Sequence, residues 1–563
     1  MKGGEFLLRP CNSEPIFTPE DLSSEQKALG ETAADFIEKE VLPVSDKIEI
    51  KEKDLIQALL KKAGGIGLLM AEIPENYGGL GLGKVAATVL SESASAQGSF
   101  QVSMMCHTGI GTLPIIYWGT EDQKNRYLPK LATGETLAAY ALTEANAGSD
   151  ALAGHTTAVL SKDGSHYVLN GEKVFITNGG FADLFTIFAK VDGKMTAFLV
   201  ERGFQGVSIG PEEKKMGIHG SSTVPINLSD VKVPKENVLG EVGKGHKIAF
   251  NTLNVGRWKL GAACVGACKH LLKVSAKYVG ERVQFNQPIA KFEVIRHKIA
   301  DCVVRTYLLE SVVYRYAGLL DEVHLKAKDN AEKLTQLEEY AIEASIAKVF
   351  GSEALQFVAD ESVQMHGGYG FCDDYHVERF YRDCRVNRIF EGTNEINRFV
   401  IIQTLLKRAM AGSLDMMTEL GNILQRLKSG FEKREPFLDA ADQIKKLVIY
   451  VAGVAVQKYA DKLQQHQALI AGVAVMAIDA YVIDSGLGRA IKTKNDINEA
   501  CVKVYLAEKL PHIRANARQL LINIAEGDEK EFGKYEKALD RIIPSIVYDT
   551  AKGKELIAAK ILT

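Results

Sequence analysis

Arg388-Ile-Phe-Glu-Gly-Thr-Asn-Glu-Ile-Asn-Arg398 sets one carboxylate, Glu391, between an apolar dipeptide and a glycine. A carboxylate so placed is partly desolvated, which raises its pKa toward neutrality and suits it to taking a proton. Gly392 lets the backbone approach a ligand with no Cβ in the way. The same string also reads as a plain loop-to-helix junction capped by Thr393 or Asn394. The rest of the chain decides between the two.

At 563 residues the chain is too long for one hydrophobic core, so roughly three to four domains are expected. Its 46% hydrophobic and 25% charged residues are those of an ordinary globular protein. A formal charge of -3 offers no basic excess to neutralise phosphates, which argues against nucleic acid as a partner. The eight cysteines have no repeating spacing, and neither Cys-x-x-Cys nor His-Glu-x-x-His occurs, so no metal site is expected. Cys264 and Cys268 read as small buried residues of an Ala/Gly-rich helix. The first ten residues lack the apolar core of a signal peptide. The apolar runs Leu447–Val456 and Ala468–Ile478 fall short of the ~20 residues a spanning helix needs. A cytoplasmic location is the expectation.

Texture divides the chain. Helical periodicity in Ala33–Val41, Leu55–Leu69 and Val85–Ala96 assigns 1–137 to an N-terminal helical domain. From 138 to 245, β-branched and aromatic runs alternate with the turn pairs Asp163-Gly164, Asn170-Gly171 and Asp192-Gly193, which predicts a central antiparallel sheet or small barrel. Long helical periodicity returns over 246–408, a helical bundle, and continues over 409–563 as a further helical domain. The fold class is α+β, mostly helical. Clustered strands without β-α alternation exclude a Rossmann sheet.

Gly78-Gly-Leu-Gly-Leu-Gly83-Lys84-Val85 nearly matches a phosphate-binding loop, but Val85 has no hydroxyl for magnesium and a turn rather than a strand precedes it. Two other segments carry more. Tyr140-Ala-Leu-Thr-Glu-Ala-Asn-Ala-Gly-Ser149-Asp150 combines an aromatic ring, hydroxyls and a small-residue turn whose amides can face an anion or a polar ring edge. Phe175-Ile-Thr177-Asn-Gly-Gly180 again sets a hydroxyl after an aromatic ring. Neighbouring strands bearing such pairs can hold a flat heteroaromatic cofactor; each segment alone reads equally as a core hairpin with a polar turn.

Taken together, these residues resemble the acyl-CoA dehydrogenase family over residues 20 to 408. Ala141-Leu-Thr-Glu-x-x-Ala-Gly-Ser-Asp150-x-x-Ala153 is similar to the family's first signature. Gln364-x-x-Gly-Gly-x-Gly370-Phe371-x-x-Asp374, with Arg379 and Asp383, is similar to the second, and Phe-Glu-Gly-Thr-Asn at 390 to the catalytic segment. The extension past 410 resembles that of very-long-chain members. The resemblance implies FAD, a fatty acyl-CoA substrate and a trans-2-enoyl-CoA product, with Glu391 as base. Tyr140, Leu142, Thr143, Gly148 and Ser149 match positions lining the flavin. Phe175, Ile176 and Thr177 match the strand behind its ring, where many relatives have Trp in place of Phe175. Arg282, Phe285 and the turn Gln364, Gly367 and Gly368 match residues that reach the FAD of a neighbouring subunit; Thr393 and Glu395 match the last FAD contacts. Ser149, Asn254, Arg257 and Gly392 match substrate-side positions. Some members carry the base just before the arginine equivalent to Arg257. Here that residue is Gly256, which cannot act, leaving Glu391.

The chemistry suits these parts. A thioester α-proton is weakly acidic, so its removal needs donors at the carbonyl oxygen, each typically worth ~3–4 kcal/mol in a dry site. The resemblance implies the Glu391 backbone N–H as one donor and an FAD hydroxyl as the other. It also implies an electron-transferring flavoprotein as acceptor and a homo-oligomer, with a dimer favoured over a tetramer because the extension covers surface. Peripheral membrane contact is a further expectation. Two other readings use the same scaffold: an oxidase passing electrons to oxygen, and a non-catalytic assembly protein, against which an intact Glu391 and intact flavin segments speak.

Overall fold

The computed structural model describes residues 1–562. Helices from Ser24–Phe36 to Glu121–Thr133 build the N-terminal unit. Capping boxes open both of these: Ser23 with Gln26, and Thr120 with Gln123, each pair satisfying N–H groups the helix cannot.

Strands β1 (Ala138–Ala141), β2 (Thr157–Leu160), β3 (His166–Thr177), β4 (Leu184–Val191), β5 (Lys194–Glu201), β6 (Val207–Ile209), β7 (Thr223–Pro234) and β8 (Val238–Leu239) form an eight-stranded sheet. The order is β6-β7-β3-β2-β4-β5-β8, with β1 beside β4. Pairing is mainly antiparallel, but β1 runs parallel to β4. Asp192-Gly193 closes the β4–β5 hairpin with positive φ at both residues, the turn whose twist matches that of the strands. Asn170-Gly171 departs from the expectation. It is a bulge inside β3, not a turn. Gly171 adopts φ +152°, and a Cβ there would stand 2.8 Å from the Thr156 Cα. The glycine serves close approach of two segments, not chain reversal.

Four long helices, Gly245–Glu281, Glu293–Lys326, Ala341–His366 and Asn394–Met410, pack as a bundle behind the sheet. Cys264 and Cys268 are buried in the first of them. Pro436–Tyr459, Gln467–Thr493 and Asp496–Ile524 lead the further helical domain. One apolar cluster runs through the bundle and this domain without a break. Gln467–Thr493 is long and apolar enough to cross a membrane by length and composition, yet 78% of its most apolar window is buried within the protein. It lies against Glu293–Lys326: the Tyr307 hydroxyl donates to the Gly486 carbonyl at 2.9 Å, and Arg315 pairs with Asp484 at 2.8 Å.

Residues 1–22, which the sequence groups with the N-terminal helices, instead cross the bundle and the last domain as a strap. Gly4 N–H donates to Glu343, Cys11 N–H donates to Asp442, and Lys445 donates to the Arg9 carbonyl. The backbone groups of an unpaired segment need partners, and helices of both domains supply them. The Gly78–Val85 segment is settled by a similar contact. The N–H groups of Lys84 and Val85 open a helix, and both donate to the Asp321 carboxylate, so an anion already occupies that N-terminus.

Candidate active site

Glu391 and Gly392 adopt φ +57° and +78° in succession. A left-handed glutamate is strained, and such residues persist only where neighbours hold them. Here the carbonyls are held. Arg257 Nε donates to the Glu391 carbonyl at 3.2 Å, and Lys348 Nζ donates to the Gly392 carbonyl at 2.7 Å. Asn397 Nδ2 donates to the Gly392 and Thr393 carbonyls at 2.8 and 3.0 Å. Thr393, not Asn394, caps the following helix by accepting from the Ile396 N–H. The string is thus a capped loop-to-helix junction, an arrangement that is compatible with a catalytic carboxylate at Glu391.

The turn sends the Glu391 side chain into a cavity walled by the N-terminal helices, the bundle and Thr177 at the end of β3. Small and apolar groups, among them Gly98, Ile110, Ala263, Ala267 and Phe390, line much of it. Glu391 Oε2 is shut off from solvent and has no hydrogen-bond partner among the described residues. Burial raises the carboxyl to about 7, while Arg257 and Lys348 pull it down. Gly256 faces it: a Cβ at 256 would lie 2.6 Å from the Glu391 Cδ. Asn254 and Arg257, expected on the substrate side, are both buried and bonded to each other at 2.8 Å. They lie behind the base, where Arg257 steadies its backbone.

The flavin-side residues gather around the ends of β1 and β3. Tyr140 and Leu142 are buried, and the Tyr140 hydroxyl donates inward to the Ala249 carbonyl, so its ring packs and its hydroxyl is already used. Thr143 is half-buried; its carbonyl accepts from the Val174 N–H. Ile176 is buried, whereas Phe175 is 63% exposed at φ +58°, turned outward where the β3–β7 register shifts. Nothing lies within 4 Å of a Cβ built on Gly148, and Ser149 beside it is exposed. An outward-facing ring and an open, small-residue turn fit a flat cofactor with a polar edge such as FAD. Support for that turn comes from a pair the sequence reading missed. Buried Lys173 donates to the Leu142 carbonyl at 3.2 Å and to Glu144 at 2.6 Å, and Glu144 accepts from the Thr156 N–H.

Arg282, Phe285, Gln364, Gly367 and Gly368 are not brought to this cleft. Arg282, Gly367 and Gly368 line a separate surface pocket with Tyr278 and Tyr369. Gly367 and Gly368 have open space around them, Gln364 is exposed, and Phe285 is 86% exposed on a two-stranded tongue. Thr393 and Glu395 sit at the N-terminus of the Asn394–Met410 helix, with Glu395 exposed.

Comparison with known proteins agrees with this geometry. Residues 23–135, 139–231 and 243–406 match the N-terminal, middle and C-terminal domains of acyl-CoA dehydrogenases, and 443–533 match a further C-terminal domain described in the same terms. A probable acyl-CoA dehydrogenase of Bacillus subtilis is 46% identical over 94% of this chain and 92% of its own. The human mitochondrial very long-chain specific acyl-CoA dehydrogenase is 40% identical over 73% of this chain, a match spanning 62% of that protein. The crystal structure of a Bacillus anthracis acyl-CoA dehydrogenase complexed with FAD superposes with a TM-score of 0.96 at 44% identity, covering 100% of this chain and 99% of that one. With its three core domains matched in order and a relative aligned along nearly its whole length, this chain belongs to the acyl-CoA dehydrogenase family of FAD-dependent oxidoreductases.

Proposed function

We propose that the chain oxidises long fatty acyl-CoA thioesters to trans-2-enoyl-CoA, with Glu391 removing the α-proton. The observation that carries this is the Glu391 carboxyl: its Oε2 shut off from solvent and without a hydrogen-bond partner among the described residues, and the group raised to about 7 at the wall of a largely apolar cavity. A base with that pKa is substantially ionised at neutral pH yet still strong enough to take a proton in the transition state. The cavity keeps water from the carboxylate, and the acyl chain completes the exclusion. Arg257, Lys348 and Asn397 hold the backbone on which the base stands, so it needs little reorganisation when substrate arrives. Bound FAD supplies the acceptor for the hydride that leaves the β-carbon. Tyr140, Leu142, Thr143, Gly148, Ser149, Phe175, Ile176 and Thr177 would hold its ring side.

The long-chain part of this proposal is supported by Ala263 and Ala267, small side chains along the cavity wall that leave space beside the base. Mammalian relatives are named for very long chains. The open tongue and the Gly367–Gly368 turn are reserved, in this reading, for the FAD of a second copy, giving a dimer. The further helical domain covers the outer face of Glu293–Lys326 and leaves it unavailable for a tetramer. Electrons then pass to an electron-transferring flavoprotein. Anaerobic titration with acyl-CoAs of increasing length, followed by flavin absorbance, tests the substrate. Bleaching that strengthens toward long chains supports the reading; no bleaching by any acyl-CoA overturns it. Rapid peroxide production without added acceptor would replace the dehydrogenase with an oxidase.

A further inference from the structure

Lys348 lies on the Ala341–His366 helix and is fully buried. Its amine has two acceptors, the Gly392 carbonyl at 2.7 Å and Asn394 Oδ1 at 2.8 Å. Neither is a carboxylate, so no direct ion pair offsets the cost of placing an ammonium here. Asn394 is fixed in turn, its Nδ2 donating to Ser352 Oγ and Glu353 Oε1, both at 3.0 Å. Packing alone does not call for an amine here, and removing it would leave both acceptors short of a donor. The carbonyl it grips belongs to the second residue of the left-handed pair.

We propose that Lys348 is a positioning residue for α-proton abstraction: by anchoring the Gly392 carbonyl and Asn394 it locks the left-handed Glu391–Gly392 turn and keeps the carboxyl in the cavity. This rests on the dehydrogenase reading of Glu391. Without Lys348 the Gly392 carbonyl keeps Asn397 as donor and Asn394 Oδ1 loses its ammonium partner, which loosens the turn and lets the carboxyl shift with the backbone. The amine also acts on the base through space. Groups facing it are Glu391 from the turn, Arg257 and Cys264 from Gly245–Glu281, and Glu395 from the helix that follows. Burial brings the Lys348 amine down to about 7, with Glu391 pushing it up and Arg257 down. The same amine lowers the Glu391 carboxyl. Each group therefore favours the charged form of the other.

The test compares wild type, Lys348→Met and Lys348→Gln as FAD-loaded full-length proteins. One readout is exchange of the acyl-CoA α-hydrogen in D2O, followed by NMR against pH. The other is thermal stability against pH for each protein with and without Glu391→Gln, whose difference reads Glu391 ionisation without turnover. For Lys348→Met, exchange falls by about 10²-fold, as expected for a displaced base, and both pH midpoints move upward. Lys348→Gln can still donate to Gly392, so it recovers part of the exchange while keeping the upward midpoint. If Lys348→Met does not accumulate as a yellow protein, the midpoint of Lys348→Gln carries the test. Absence of exchange in wild type overturns the dehydrogenase reading and this assignment with it. Wild-type exchange with unchanged rates and midpoints in the variants overturns the assignment of Lys348 alone.

Discussion

Gly256 makes room for Glu391. The two residues face each other across the cavity wall, and a single methyl at 256 would stand 2.6 Å from the glutamate Cδ. The helix at Gly256 is otherwise unstrained, so the absent side chain serves the carboxyl and not the backbone. Gly256→Ala should therefore fold and bind FAD normally while pushing the base aside. Flavin reduction by acyl-CoA is expected to slow by about 10²-fold, the scale of a base misplaced by an ångström. Stopped-flow absorbance measures it, and an unchanged rate would show that the carboxyl does not depend on this space.

The strain and burial at Glu391 have a stability consequence. Its folded pKa, about 7, lies above its ordinary 4.5. A raised carboxyl contributes stability that is complete below about pH 4.5 and is lost as pH rises through 7. Glu391→Gln carries no such penalty. Relative to wild type it should be more stable by about 3 kcal/mol at pH 8 and no different at pH 4. Melting temperatures of both proteins across that range check the sign.

A second copy is expected to cover the Val283–Pro288 tongue. Phe285 is nearly fully exposed there, and Arg282 stands over the Tyr369 ring at 5.3 Å. In the dimer proposed above, Phe285→Asp should favour the monomer and weaken FAD retention, because each FAD would lose the neighbour's tongue. Sedimentation and the flavin-to-protein absorbance ratio report both effects; a monomeric wild type that retains FAD would contradict this.

The bundle and the further helical domain meet at Asp484, which pairs with Arg315 at 2.8 Å and Lys445 at 2.9 Å. Those two cations hold the buried carboxyl at about 2. Asp484→Asn leaves both uncompensated and should cost about 3–5 kcal/mol. Because the folded pKa is depressed, the wild-type contribution is complete above about pH 4 and lost as pH falls toward 2. Thermal melting at pH 7 and pH 3 should show a large gap between the proteins at the first and a smaller one at the second.

Much of this was legible in the sequence, for local reasons. An apolar dipeptide, a glutamate and a glycine announce a desolvated carboxyl on a turn, and the helix cap after it is local too. The order of helical and strand-rich segments followed from periodicity. What depends on distant partners did not. Asn170-Gly171 has the composition of a turn, yet the glycine answers to Thr156 across the sheet. Residues 1–22 carry no signal of the helices they strap. Lys348 sits in Ser345-Ile-Ala-Lys-Val-Phe350, and a lone lysine in an apolar helical run was the one available hint. Its partners become visible only once two helices are packed together.

The most direct test is anaerobic mixing of acyl-CoA with Glu391→Gln. The variant should fold, stay yellow and bind the thioester, yet show almost no flavin reduction at a pH where wild type bleaches fully. Bleaching at a rate near that of wild type would mean that another group takes the α-proton.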